Sequence, residues 1–197
     1  MKRIFGFCLA IASISFASCN KENSEPPGSN IQGNWTVISM HIKTNSIIEV
    51  INGNDDIKSV TTSEYDTKDN TGDVVIDADK MSYTNLAYTM DAVAHSTQYE
   101  NGTESGTNDF PLTATITAQS GSAPYEIIGA DSIYFSQGFF VSGNNSQDTK
   151  PGGGKIRLEG DKLYLTQSVH ETSTDDNQGA AMTNTADATI VVTFQRK

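Results

Sequence analysis

Gly33-Asn34-Trp35-Thr36-Val37-Ile38-Ser39-Met40-His41-Ile42 is the first apolar, β-prone run after a leader-like N-terminus, and it holds the chain's single tryptophan. Aromatic and β-branched residues suit a pleated, half-buried surface, so the run predicts a strand. Trp35, Val37 and Ser39 alternate with Thr36, Ile38 and Met40, and both sets contain apolar residues. The strand is therefore expected to be covered on both sides or kinked by a bulge. At the far end, Ala188-Thr189-Ile190-Val191-Val192-Thr193-Phe194-Gln195-Arg196 is a second β-branched run. Alternation puts Ile190, Val192, Phe194 and Arg196 on one side of it.

Between these ends the chain reads as short strands. Ser46 to Ile51 is β-prone and stops at Asn52-Gly53-Asn54, whose residues favour the positive φ of tight turns. Ile57 to Tyr65 is a weaker run, Asp66 to Asp73 a polar loop, and Val74 to Asp77 a restart. In Met81 to Tyr99 the residues Leu86, Tyr88, Met90, Ala92 and Ala94 fall on one side, which predicts a half-buried strand or bent hairpin; a helix over Leu86 to Ala94 is the rival. Asn101 to Asn108 is expected to be a loop, and Leu112 to Thr117 a strand with one wet face. Tyr125 to Ile128, Ser132 to Phe135 and Phe139 to Val141 supply an aromatic centre. Asn144 to Gly154 reads as a loop. Lys155 to Thr166 is a hairpin around Gly160-Asp161, with Glu159 opposite Lys162 and Leu158 opposite Leu163. Ser168 to Asn184 begins as strand and dissolves into an acidic loop. The expected class is all-β, an antiparallel up-and-down barrel, with a two-sheet β-sandwich as the alternative.

A Gly-x-Trp opening strand and an Arg-ended closing strand resemble the lipocalin-like (calycin) barrels. That resemblance implies that Arg196 lies on Trp35 at the closed end, as a structural closure. A guanidinium there can cover the indole while its stem stays apolar. The chain most resembles the lipocalin-like lipoproteins of bacterial outer membranes.

Lys2 and Arg3 precede the apolar run Ile4 to Ala17, which has the length and flanks of a secretory leader. Phe16-Ala17-Ser18-Cys19 resembles the bacterial lipoprotein processing box, which implies cleavage before Cys19 and acylation of its thiol. An ordinary signal peptide cut near Ser18 is the alternative. Residues 1–18 are then the signal peptide, 19–30 a lipidated tether and 31–197 the barrel domain. The Pro- and Ser-containing segment from Asn20 to Asn30 reaches at most about 36 Å. Asn20 is not the Asp that marks inner-membrane retention in such lipoproteins, so the expected site is the outer membrane, on its periplasmic face or the cell surface. The mature chain would keep one cysteine and form no internal disulfide, so its core must hold it together.

Of the 13 basic residues, Lys2 and Arg3 leave with the leader; the remaining 11 face 24 acidic ones, a mature net charge of −13. Such a chain repels phosphate backbones, which excludes nucleic acid as a partner, and it is attracted to no anionic headgroup. Membrane association is expected through the N-terminal lipid. The sequence leaves oligomeric state open.

Several chemical motifs fail on spacing. Gly152-Gly153-Gly154-Lys155 is followed by Ile156, where a phosphate loop needs Ser or Thr. His41, His95 and His170 lie far apart with no second ligand at metal spacing. Asp66, Asp69, Asp73, Asp77 and Asp79 do not follow the order of a calcium loop. Asp131-Ser132-Ile133 resembles a bacterial O-glycosylation acceptor, and a turn before a strand is the simpler reading. No nucleophile–base pair is visible, so no enzyme, metal or cofactor is expected. Two functions remain. In the first, the barrel holds a small apolar or amphiphilic ligand in or at its mouth, with Tyr88, Met90, Tyr134, Phe135, Phe139 and Tyr164 as candidate lining residues. In the second, the barrel is filled and the polar loops 101–109, 143–154 and 171–185 contact protein or glycan partners at the cell surface.

Overall fold

The computed structural model describes residues 31–138, 151–177 and 180–197. Among them the chain forms nine antiparallel strands: β1 (Gly33–Asn52), β2 (Asp55–Asp66), β3 (Lys68–Ile76), β4 (Lys80–Glu100), β5 (Thr103–Ile128), β6 (Ser132–Phe135), β7 (Gly152–Glu159), β8 (Lys162–Asn177) and β9 (Ala180–Arg196). Each strand pairs with a sequence neighbour, and β9 returns to β1, so the hydrogen bonds run in a ring. The all-β barrel is thus the architecture, rather than the two separate sheets of a sandwich.

β2 and β3 share one place in the wall. β1 pairs with β3 through Gly33–Thr36 and with β2 through His41–Asn52, while β4 likewise serves both. Thr67 separates them. Its N–H donates to the Met40 carbonyl at 2.9 Å, and the Met40 N–H donates to its hydroxyl at 3.2 Å. Here β1 carries the bulge that its two apolar rows predict, with the register shifting between Val37 and Ser39. The bulge turns both Val37 and Met40 inward, each buried.

β6 and β7 are short, and that divides the molecule into two parts. β5 meets β6 only through Tyr125–Ile128, and β7 meets β8 only through Lys162–Gln167. At that level the ring encloses Trp35, Phe135, Phe194, Met81, Ile133 and Leu163, all fully buried. Burying side chains of this size stabilises by roughly 1.5–3 kcal/mol each. Above that level six strands continue in the order β5-β4-β2-β1-β9-β8 as an extension. Among the described residues it is open between β5 and β8.

Three loop expectations are overturned by this extension. Residues 68–73 belong to β3. Residues 103–108 belong to β5, with only Asn101 and Gly102 turning, both at positive φ. Residues 171–177 and 180–185 belong to β8 and β9, so of the proposed contact loops 101–109 and 171–185 are mainly strand; most of 143–154 lies outside the described residues. Their Ser, Thr, Asn and Asp content suggests loop, yet a long partner strand supplies a full ladder for each of them. The region of the helical rival is strand, within β4. The hairpin at Gly160-Asp161 has Glu159 opposite Lys162 and Leu158 opposite Leu163, with positive φ at Gly160.

Candidate functional site

The two ends of the barrel differ. At the closed end Trp35 and Arg196 are direct cross-strand partners, with the guanidinium 4.3 Å from the indole ring centre. Trp35 Nε1 donates to the Ile31 carbonyl at 2.8 Å, and Arg196 Nη1 reaches the Gln32 carbonyl at 3.3 Å. Gly33 sits beside this cluster at φ +134, where a Cβ would meet Arg196 Nη1 at 3.3 Å.

At the other end the ring gives way to the extension, and there a recess is lined by Met40, Ile42, Leu86, Tyr88, Ile116 and Ile190. Its volume is about 30 Å³. Ligand pockets that engulf a small molecule run to roughly 300 Å³ or more. Among the described residues the recess is therefore too small to engulf such a molecule. Burial pushes the Tyr88 phenol up, and the neighbouring Tyr65 adds to this; burial raises Tyr65 as well. Both phenols stay neutral, so among the described residues the recess offers apolar surface, phenol hydroxyls and the Gln119 amide.

The inward face of the extension continues this lining. Met90, Ala92 and Ala94 follow Tyr88 along β4, facing Ala114, Leu112 and Phe110 of β5. Beside them the hydroxyls satisfy one another: Thr44 bonds Ser63 at 2.7 Å, and Ser96 bonds Ser59 at 3.1 Å and Thr61 at 3.2 Å. A buried hydroxyl with a partner costs little, so this belt is compatible with an apolar occupant. Farther out, Ile48, Ile57, Phe110, Val169 and Met182 remain exposed, Ile57 by 53%.

Of the residues expected to line a site, Tyr88 and Met90 stand at the mouth. Phe135 is sealed in the core instead. Tyr134 and Tyr164 do not line the interior: each alternates with inward residues and faces out, and Tyr164 lies under the Arg157 guanidinium at 4.1 Å. Cys19 and Phe139 fall outside the described residues. Sequence reasoning missed Met40, Ile42, Ile116 and Ile190. The bulge hid the first two, and the last two look like ordinary members of alternating strands.

The histidines occupy the outward face. Each shares a hydrogen bond through Nδ1 with the aspartate directly opposite: His41 with Asp66 at 3.0 Å, His95 with Asp109 at 2.7 Å, His170 with Asp187 at 2.6 Å. Two of these pairs lie on one rung, His170-Asp187-Asn45-Thr62-His95-Asp109, across all six strands. Four strand spacings separate His170 from His95, roughly 19 Å, so they cannot share an ion. Among the acids of the Asp66–Asp79 stretch, Asp66 is held by His41 and Asp73 by Lys197. Gly152 to Lys155 open β7, where Lys155 pairs with Asp131 at 2.9 Å.

Fold and mouth together define an antiparallel up-and-down β-barrel with one closed end and an extension that is open among the described residues. No protein-family model matches the chain, and no curated protein matches it either.

Proposed function

We propose that this protein is a lipid-anchored, lipocalin-like binding module of the bacterial outer membrane, which takes a small apolar or amphiphilic ligand at the barrel mouth. One observation carries the reading: an apolar recess between Met40 and Ile190 opens where the ring ends, and beyond its belt of paired hydroxyls the inward face still exposes Ile48, Ile57 and Val169. Soluble proteins seldom leave such surface uncovered without a use for it. The packed ring below supplies a rigid seat, and the neutral phenols suit binding rather than catalysis.

The test is fluorescence enhancement of an apolar naphthylamine probe by the processed protein. Met90→Asp, which charges the wall above the recess, should weaken probe binding about tenfold or more, because an unpaired charge beside an apolar ligand is costly. Val75→Asp, on an exposed outward position of β3, should not. Equal binding by both folded variants would remove the mouth as the site.

The anchor is tested separately. Cys19→Ala should move the protein from the membrane fraction to the soluble one, since the acyl chains and not the acidic domain hold it there. Retention on membranes at both low and high salt would defeat the lipoprotein reading.

A further inference from the structure

The edge strands of an open sheet present backbone N–H and C=O groups to any strand that can add, and proteins blunt them with charge. The two edges of the extension differ in this respect. On β8 the stretch from Ser168 to Asn177, beyond its pairing with β7, carries His170, Glu171, Asp175 and Asp176. On β5 nothing among the described residues pairs with the outer edge between Thr103 and Pro124. From Phe110 to Tyr125 that strand contains no charged residue.

Within this run lies Thr113-Ala114-Thr115-Ile116-Thr117, reached by a ladder with β4 that is regular from Gly106 to Ile116. The three threonines are exposed on the outward face, and Ala114 and Ile116 are half-buried on the inward one. Pro111 belongs to the threonine row. Proline in a sheet is placed where its missing N–H would face away from the ladder, so the amides of that row are directed to the open edge. Read antiparallel about Thr115, the run matches itself. Thr115 faces Thr115, Thr113 faces Thr117, and small Ala114 faces bulky Ile116, pairs of the kind that stabilise cross-strand contacts. Two copies of an acidic chain repel, and here they can meet without setting one acid against another; the nearest, Asp109, is held by His95 at 2.7 Å.

We infer that β5 is a dimer interface: a second copy of this chain adds its own β5 antiparallel along the open edge, with the two-fold axis at Thr115, and the two extensions join as one sheet. The same patch serves both partners, so the assembly closes at two copies, whereas β5 on the edge of β8 would run on into a filament. About six backbone hydrogen bonds span a pairing of this length, which suits a weak, reversible dimer. It also sets Ala114 of the second copy beside Ile116, a wall of the recess. The inference stands apart from the proposed ligand and does not depend on it.

Sedimentation equilibrium of the Cys19→Ala protein, which has no thiol to acylate there, tests it at concentrations up to about 1 mM, where weak association is visible. A monomer–dimer equilibrium is expected, and it should tighten as salt screens the repulsion between acidic copies. Thr115→Lys and Thr115→Glu each put like charges face to face and should weaken the dimer about tenfold or more, with the fold unchanged by circular dichroism because Thr115 is exposed. An equimolar mixture of the two should dimerise again, since lysine then faces glutamate. Ser168→Lys, on the β8 edge, should leave the dimer as it is. The register is tested without Thr115 by Thr113→Lys with Thr117→Glu on one chain, which should dimerise, and by Thr113→Lys with Thr117→Lys, which should not. Monomeric protein at every concentration would leave the edge to a different chain and overturn the assignment. Growth beyond the dimer, or a dimer untouched by the Thr115 variants, would overturn it as well. A mixture of the charged variants that stays monomeric would remove the two-fold at Thr115.

Discussion

Replacing Trp35 with alanine is expected to lower the free energy of unfolding by about 3–5 kcal/mol, the usual cost of removing a fully buried large aromatic side chain. Trp35 has no exposed surface, and two partners would lose it at once. The Ile31 carbonyl would lose the indole N–H that it accepts at 2.8 Å, and the Arg196 guanidinium would lose the ring beneath it. Inside the ring the space could not collapse easily, because Val37, Phe194 and Val74 are held in strands that pair on both sides. Arg196→Ala, which keeps the indole and removes only its cover, should cost about 1–2 kcal/mol. Urea unfolding of both variants and of the double variant gives the coupling between them directly. If the two effects simply add, the cation–π contact contributes nothing and the closure is aliphatic packing alone.

How much of this arrangement the sequence carries depends on which part of the barrel is considered. Where the ring is closed, the core rows are strongly apolar and their alternation is visible: Phe194 and Val192 on β9, Leu163 and Leu165 on β8, Trp35 and Val37 on β1. The hairpin between β7 and β8 was legible to the residue, because Gly160 has to take positive φ and fixes the register of everything around it. In the extension the same rule loses its signal. Strands with one wet face and a second face of Ala, Ser and Thr, such as Ser59, Thr61 and Ser63 on β2, look like loop when read alone. They are strands because their neighbours present unpaired backbone along the whole length, a tertiary cause that local composition does not contain. The mouth was half legible for a related reason. The row Leu86, Tyr88, Met90, Ala92, Ala94 shows itself by alternation, whereas Met40 and Ile42 reach the same recess only because one bulge reverses the parity of β1. Tyr134 and Tyr164 show the converse, since an aromatic residue in an alternating strand carries no mark of which face it takes.

Gly72→Ala should produce the second large loss, about 3 kcal/mol, although it adds a single methyl group at an exposed-looking loop sequence. Gly72 lies in β3 at a register shift of the β3–β4 ladder, between Thr71 and Asp73, at φ +131, a conformation that residues with a Cβ rarely adopt. A methyl group there would come within 2.8 Å of the Leu86 Cα and 3.2 Å of its nitrogen. Backbone atoms cannot rotate away as a side-chain tip can, so β3 and β4 must separate locally. Leu86 is also a wall of the recess, and its displacement reaches the mouth. Gly53→Ala supplies the comparison: Gly53 also has positive φ, at +62, but nothing lies within 4 Å of the added carbon. That variant isolates the backbone term, about 1–2 kcal/mol for a residue forced into the left-handed region. The excess of Gly72→Ala over Gly53→Ala in urea unfolding therefore measures the close approach of β3 to β4, and only that excess should be accompanied by weaker binding of an apolar probe. Equal losses in the two variants would mean that β4 yields freely at Leu86, and a wall that yields there could not hold a ligand in place.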